Sequence, residues 1–192
     1  MKAIGIVGSP RKTGNTAFLV KEALNIIQSE GIETELIHLG GKVIQPCNGC
    51  LMCKKEKKCI LEGDDFDAVF EAMKIADGII LGSPVYFGSA TSQLTSLLDS
   101  AAYVHRQTGE YFSGKIGAPI VVARRAGHNF TFAQLLLWYC INDMIVVGST
   151  YWNIAMAGSA GKKDIQQDTE GIDTVRHFAQ TMSSVMKKLL QK

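Results

Sequence analysis

Short apolar runs alternate with longer amphipathic stretches along the chain, and glycine or proline closes most of them. Lys2 to Val7 is the first run, a strand pattern that Gly8-Ser9-Pro10 ends. From Thr16 to Ser29 the positions Phe18, Leu19, Ala23, Ile26 and Ile27 recur at helical spacing, and Gly31 stops the pattern. Thr34 to Leu39 reads as a second strand, followed by Gly40-Gly41. Asp64 or Asp65 suits the N-cap of a helix from Phe66 to Ala76, with Val69, Phe70 and Met73 inward. Gly78 to Gly82 is a third, wholly apolar strand, Ser83 to Gly88 a loop, and Thr91 to Tyr103 a helix. Gly117 to Ala123 is a fourth strand. A loop over Arg124 to Asn129 and a helix through Leu135 to Ile141 follow it. Met144 to Thr150 reads as a fifth strand, and Ile172 to Leu190 as the last helix.

Five strands alternating with five helices predict an α/β fold: a parallel sheet with right-handed crossovers and helices on both faces, a three-layer sandwich. The near-continuous apolar runs Gly78–Leu81 and Ile120–Ala123 suit central strands covered on both sides. For a five-stranded sheet of this kind the expected order is flavodoxin-like, 2-1-3-4-5. Its ligand crevice lies at the C-terminal strand ends, between strands one and three.

The composition narrows the functional classes. The 192 residues suit one domain, 1–192, with a cysteine-rich loop at 47–59 inside it. A net charge of +2 gives no electrostatic case for nucleic acid or a membrane surface. No apolar run approaches the ~18–20 residues of a membrane span. Met1-Lys2-Ala3-Ile4 enters a strand pattern directly, which leaves no room for a signal peptide. With five cysteines and no such leader, the expectation is a cytoplasmic protein whose thiolates serve metals or redox chemistry.

Four of those cysteines fall within thirteen residues, Cys47, Cys50, Cys53 and Cys59, spaced C-x2-C-x2-C-x5-C. C-x2-C spacing turns two sulfurs to one side of a turn, and Gly49 removes a side chain where the turn is tight. Ferredoxin runs begin in the same way. A single [4Fe-4S] cluster on all four is the leading reading. Structural zinc is the main rival, although zinc sites usually come as two separated pairs. A disulfide or a redox-active C-x-x-C is the third. Lys54, Lys55, Lys57 and Lys58 make this an exposed polar loop.

The loop after the first strand has the composition of an anion site. Ser9, Thr13, Asn15 and Thr16 offer hydroxyl and amide groups, Gly14 permits close backbone approach, and Arg11 adds charge. The N–H groups that open the following helix complete such a site. G-x-G-x-x-G and G-x4-G-K-[ST] are both absent, so neither a dinucleotide fingerprint nor a P-loop is supported. Pro84-Val85-Tyr86-Phe87-Gly88 leaves the same sheet edge with a rigid turn and two aromatics, the flat wall an isoalloxazine ring needs. Arg124 to Asn129, with Gly127 at its turn, forms a third wall.

Ser9 to Thr16 (S-P-R-x-x-G-N-T), the compact cysteine set and Ser83-Pro84-Val85-Tyr86-Phe87-Gly88 together resemble the iron–sulfur flavoproteins, within the NADPH-dependent FMN reductase group. The resemblance spans nearly the whole chain. It implies non-covalent FMN, with Ser9, Arg11, Asn15 and Thr16 at the phosphate and Pro84, Tyr86, Phe87 and Gly88 lining the flavin. It implies a [4Fe-4S] cluster on Cys47, Cys50, Cys53 and Cys59, a homodimer or homotetramer, and a ferredoxin-like electron donor. Reduction of O2 or H2O2 stays open as the second half-reaction. The alternative is an NAD(P)H-dependent FMN or quinone reductase with structural zinc at the cysteines.

Other residues have plain expectations. Cys140, in an apolar helix, reads as a buried small hydrophobe, and Trp138 and Trp152 as core or interface residues. His105 and Arg106 follow the third helix, where they are candidates for a dimer contact. No Ser-His-Asp or paired-carboxylate arrangement supports hydrolysis.

Overall fold

The structure is a computed structural model that describes residues 1–109, 111–158 and 164–190. Its elements are β1 (Lys2–Val7), α1 (Asn15–Ser29), β2 (Glu33–His38), α2 (Cys53–Glu56), α3 (Phe66–Ile75), β3 (Gly78–Pro84), α4 (Ser92–Thr108), β4 (Ile116–Ala123), α5 (His128–Ile141), β5 (Ile145–Val146), β6 (Ile154–Met156) and α6 (Thr169–Leu190). All strands pair in parallel, in the order β2-β1-β3-β4-β5, with β6 also on β4. This is the expected flavodoxin-like topology, with the cysteine-rich segment after β2. Among the described residues no helix is long and apolar enough to cross a membrane.

Alternation along β1 explains both cores. Ile4 and Ile6 face one layer, with Met73, Leu94, Leu97 and Tyr139 from α3, α4 and α5. Ala3 and Val7 face the other, with Leu19, Val20, Val175 and Phe178 from α1 and α6. Each fully buried Leu or Ile is worth roughly 1.5–3 kcal/mol, so both helical layers are held firmly on the sheet. A side chain on Gly5 or Gly82 would collide with Val20. Glycine at these two positions lets α1 sit close on β1 and β3.

Several expectations are corrected. The fifth strand is split: Ile145–Val146 pairs with Ile116–Gly117, and Ile154–Met156 pairs with Val121–Ala123. The eight-residue β4 is longer than either partner, and the chain detours through Gly148-Ser149-Thr150 between them. α4 runs on to Thr108, so His105 and Arg106 lie within it. His105 is buried, its Nδ1 accepting the Phe112 N–H at 3.3 Å. Cys140 is exposed, because Leu135, Trp138 and Tyr139 take the inward face of α5. The second half of α5, Leu135 to Ile141, carries no polar stripe to mark its outward face. Trp138 is buried, with Nε1 donating to the Leu98 carbonyl at 2.9 Å, whereas Trp152 is half exposed.

Candidate functional site

The sheet register brings Val7, His38 and Gly82 side by side, with Ile120 next to Gly82, so the loops that follow these residues meet at one edge. After β1 the chain turns tightly. The Gly8 N–H donates to the Gly82 carbonyl at 2.8 Å, the Ser9 Oγ accepts the Arg11 N–H at 3.2 Å, and the Gly14 N–H returns to the Arg11 carbonyl at 3.1 Å. α1 then starts at Gly14 with no side-chain cap and no acidic residue in its first turn. The positive end of its dipole faces this edge, where an anion is favoured.

At the end of β3 the Val85 N–H bonds the Val122 carbonyl at 2.8 Å. Tyr86 and Ser89 exchange two backbone bonds, at 2.9 and 3.1 Å, around Phe87 (φ 52°) and Gly88 (φ 86°), a type I′ arrangement. Gln134 Oε1 accepts from the Ser89 hydroxyl and the Ala90 N–H, both at 3.0 Å, and ties this turn to α5.

Between these loops lies a cleft of about 230 Å³. Ser9, Arg11, Gly14, Asn15, Thr16, Pro84, Val85 and Tyr86 line it. Other predicted residues stand elsewhere. Phe87 is fully exposed at the tip of its turn, beside Gly88. Gly127 stands behind the wall, where a Cβ would press on Val85 Cγ1 at 2.7 Å. Thr13 lines a neighbouring cleft. Val122, Ala123, Arg124, Ala157 and Gly158 complete the lining. Of these, Ala157 and Gly158 escape the sequence reading. β6 delivers them, and the small residues after Met156 are the one local hint.

Cys47, Cys50, Cys53 and Cys59 line one hollow, closed by Ser100, Tyr103 and Val104 of α4. Cys53 is buried, Cys47 and Cys59 are half-buried, Cys50 is exposed, and each is a free thiol. α2 is a single turn inside what reads as a loop. Lys57, at φ 60°, ends it and donates through Nζ to the Gln107 carbonyl at 3.4 Å. The Asn48 Oδ1 accepts the Cys50 N–H at 3.1 Å, shaping the turn between the first two thiols. Asp64 accepts from the Gln45 and Phe66 N–H groups at 2.8 and 3.0 Å, and Asp65 from Val43 N–H and Lys42 Nζ at 2.8 and 3.1 Å. These aspartates clamp the two ends of the cysteine segment together as well as opening α3. Burial, then the facing Cys47 and Cys50 thiolates, pushes Cys53 up. Burial, then Cys47, Asp67 and Asp64, does the same to Cys59.

Among the described residues, no three His, Cys, Asp or Glu side chains gather closely enough to hold a single metal ion. Four cysteine thiols on one hollow are a ligand set that both a [4Fe-4S] cluster and a structural zinc use. The hollow is set back from the cleft along α4. Thr91 bonds the Gly8 carbonyl at the sheet edge, and Ser100 and Tyr103 follow it by nine and twelve residues. That is roughly 14–18 Å of helix.

Residues 1–159 match the NADPH-dependent FMN reductase family. An iron–sulfur flavoprotein of Methanocaldococcus jannaschii is 43% identical over 97% of this chain and 98% of its own length. One of Methanosarcina thermophila is 33% identical over 100% of this chain and 98% of its own. Among solved structures, RosB with bound 8-demethyl-8-formylriboflavin-5′-phosphate superposes with a TM-score of 0.77 at 17% identity, over 100% of this chain and 81% of RosB. A WrbA-like flavodoxin from Agrobacterium tumefaciens superposes at 0.68 and 14% identity, over 97% of this chain and 98% of that one. At such identities the structures speak to the fold alone. Matched along its length by sequence, the chain belongs to the NADPH-dependent FMN reductase family, in its iron–sulfur flavoprotein branch, and is an oxidoreductase by class.

Proposed function

We propose that the chain holds FMN in the cleft between the β1 and β3 loops and a [4Fe-4S] cluster on Cys47, Cys50, Cys53 and Cys59, and moves electrons between them. The observation that carries this reading is the ring of four free thiols around one hollow, in a chain whose relatives are named iron–sulfur flavoproteins. When bound, the cluster handles single electrons and FMN handles one or two, which makes the pair a converter between one-electron and two-electron chemistry.

The protein's own part is positioning. The uncapped start of α1, with Arg11 and Arg124, receives a phosphate, and Pro84, Val85 and Tyr86 form the wall against the ring. The exposed Lys54, Lys55 and Lys58 offset thiolate charge and offer a docking face to an acidic, ferredoxin-like donor. Self-association, as a homodimer or homotetramer, is part of the same proposal. The outward face of α5 supports it, with Phe130, Leu137 and Ile141 each more than half exposed.

The test is protein made and purified without oxygen, with iron, sulfide, zinc and FMN counted per chain. About four irons, four sulfides and one FMN support the reading. One zinc, one FMN and no sulfide would replace it with an NAD(P)H-dependent flavin reductase on a structural zinc, checked by flavin bleaching with NAD(P)H. For the second half-reaction, O2 and H2O2 are the acceptors to assay.

A further inference from the structure

A second cleft opens on the other side of the β1 loop. It encloses about 470 Å³, within the roughly 300–1,000 Å³ of small-molecule sites. Phe18 of α1, Leu36 of β2 and Ile165 give it an apolar surface. Its charge is of one sign. Lys12 and Lys21 line it, and among the described residues no aspartate or glutamate does. Among the described residues neither lysine is in an ion pair. Asp164, beside this wall, is engaged by Asn15 Nδ2 at 3.1 Å and the Gly158 N–H at 2.6 Å.

His38 adds an independent sign of a missing partner. Its Nδ1 is shielded from solvent and has no hydrogen-bond partner among the described residues. Burial, then the charge of Lys12, pushes the imidazole below the usual histidine range. It is therefore neutral at pH 7, and its buried nitrogen gives or takes a hydrogen bond according to tautomer. Leaving such an atom unpaired is costly, and a ligand group that meets it removes the cost.

We propose that this cleft is a second small-molecule site for a phosphate-bearing compound with a flat apolar body, such as a nucleoside monophosphate. The phosphate lies between Lys12 and Lys21, and the body lies on Phe18 and Leu36 within reach of His38. Gly14 and Asn15 line both clefts, so this site shares a wall with the flavin cleft while keeping its own charge and floor.

The test is calorimetric titration of adenosine 5′-monophosphate, and separately of inorganic phosphate, into FMN-loaded protein. The expected result is one nucleotide per chain, bound ~10-fold more weakly by Lys21→Glu, with FMN content unchanged. Lys188→Glu, at the far end of α6, serves as the charge control and leaves the affinity as it was. No nucleotide binding up to millimolar concentration, or binding indifferent to Lys21→Glu, overturns the proposal. FMN release in step with nucleotide binding does so too, since it puts the nucleotide in the flavin cleft. Inorganic phosphate binding as tightly as the nucleotide overturns the assigned ligand class. If the purified chain takes no FMN, the flavin reading fails on its own. The same titration on that protein still decides this site, because Lys21 and His38 lie outside the flavin cleft.

Discussion

Replacing Tyr139 by phenylalanine removes one oxygen from the centre of the molecule and leaves the ring. Tyr139 is fully buried on α5. Its hydroxyl donates to the Ile79 carbonyl at 3.1 Å and accepts the Leu81 N–H at 3.0 Å, so it serves two backbone groups of β3. Ile79 and Leu81 are wholly inaccessible to solvent, so water does not replace the hydroxyl without rearrangement. A buried backbone group left unpaired costs about 1–3 kcal/mol. Two such groups put the loss at about 2–6 kcal/mol. For a chain of this size each kcal/mol lowers Tm by about 2–4 °C, so the expected drop is about 4–24 °C. Urea unfolding followed by circular dichroism measures the difference, with the m-value unchanged if the native state keeps its compactness. A pH series adds a signature of the phenol. Burial raises Tyr139 well above its ordinary value, outweighing the lowering effect of the Leu81 hydrogen bond. The unfolded chain therefore sheds this proton first, near pH ~10, and stability falls as pH rises beyond that point. Tyr139→Phe has no such loss, so the gap between the two proteins narrows in alkali. A stability change under about 1 kcal/mol at neutral pH, or a gap that stays constant through pH ~10, refutes the reasoning.

Cys53→Ala removes the buried thiol of the cysteine hollow. Iron and sulfide are expected to fall close to zero with FMN retained, and undiminished iron per chain would remove Cys53 from the ligand set. Arg11→Gln takes a cation from the flavin cleft. FMN affinity, measured by flavin fluorescence, is expected to drop about 3–10-fold and to become less salt-dependent, because exposed charge pairs are modest and screened. His38 has a folded value below the unfolded one. Between the two the unfolded chain holds more protons, and stability rises with pH through that window, from the depressed folded value up to about 6.5. His38→Gln is expected to flatten the rise in Tm between about pH 5 and 7, and an identical slope in the two proteins would show that His38 contributes nothing to it.

The parts of the site that were readable in advance are local in sequence. The β1 loop packs its polar residues, glycine and arginine into Ser9–Thr16, and the cysteines stand within Cys47–Cys59. Each segment reaches its cleft or hollow nearly intact. Thr13, which lines the neighbouring cleft, and Phe87, Gly88 and Gly127 are the exceptions. They sit in the right loops but turn away from the cleft, because the type I′ turn points Phe87 outward and α5 places Gly127 behind Val85. Ala157 and Gly158 reach the cleft only because β6 pairs with the upper half of β4, some 35 residues earlier in the chain.

Alternation of apolar runs with amphipathic stretches determined the parallel sheet, and its order followed as the flavodoxin-like expectation for such strands. A strand buried on both faces must be apolar throughout, and β3 and β4 carry that composition whatever surrounds them. Cysteine spacing likewise pointed to four thiols that share one ligand set, since C-x2-C spacing turns sulfurs to one side of a turn. Only the tertiary structure decided which way α5 turns its apolar surface, and so that Cys140 faces out and Tyr139 faces in. It also decided that β4 is shared between two short strands, and that Asp64 and Asp65 clamp the cysteine segment. Each of these depends on a partner distant in sequence. Hydrogen bonds between strands and the rotation of a helix about its axis are settled by packing, and local composition carries no record of it.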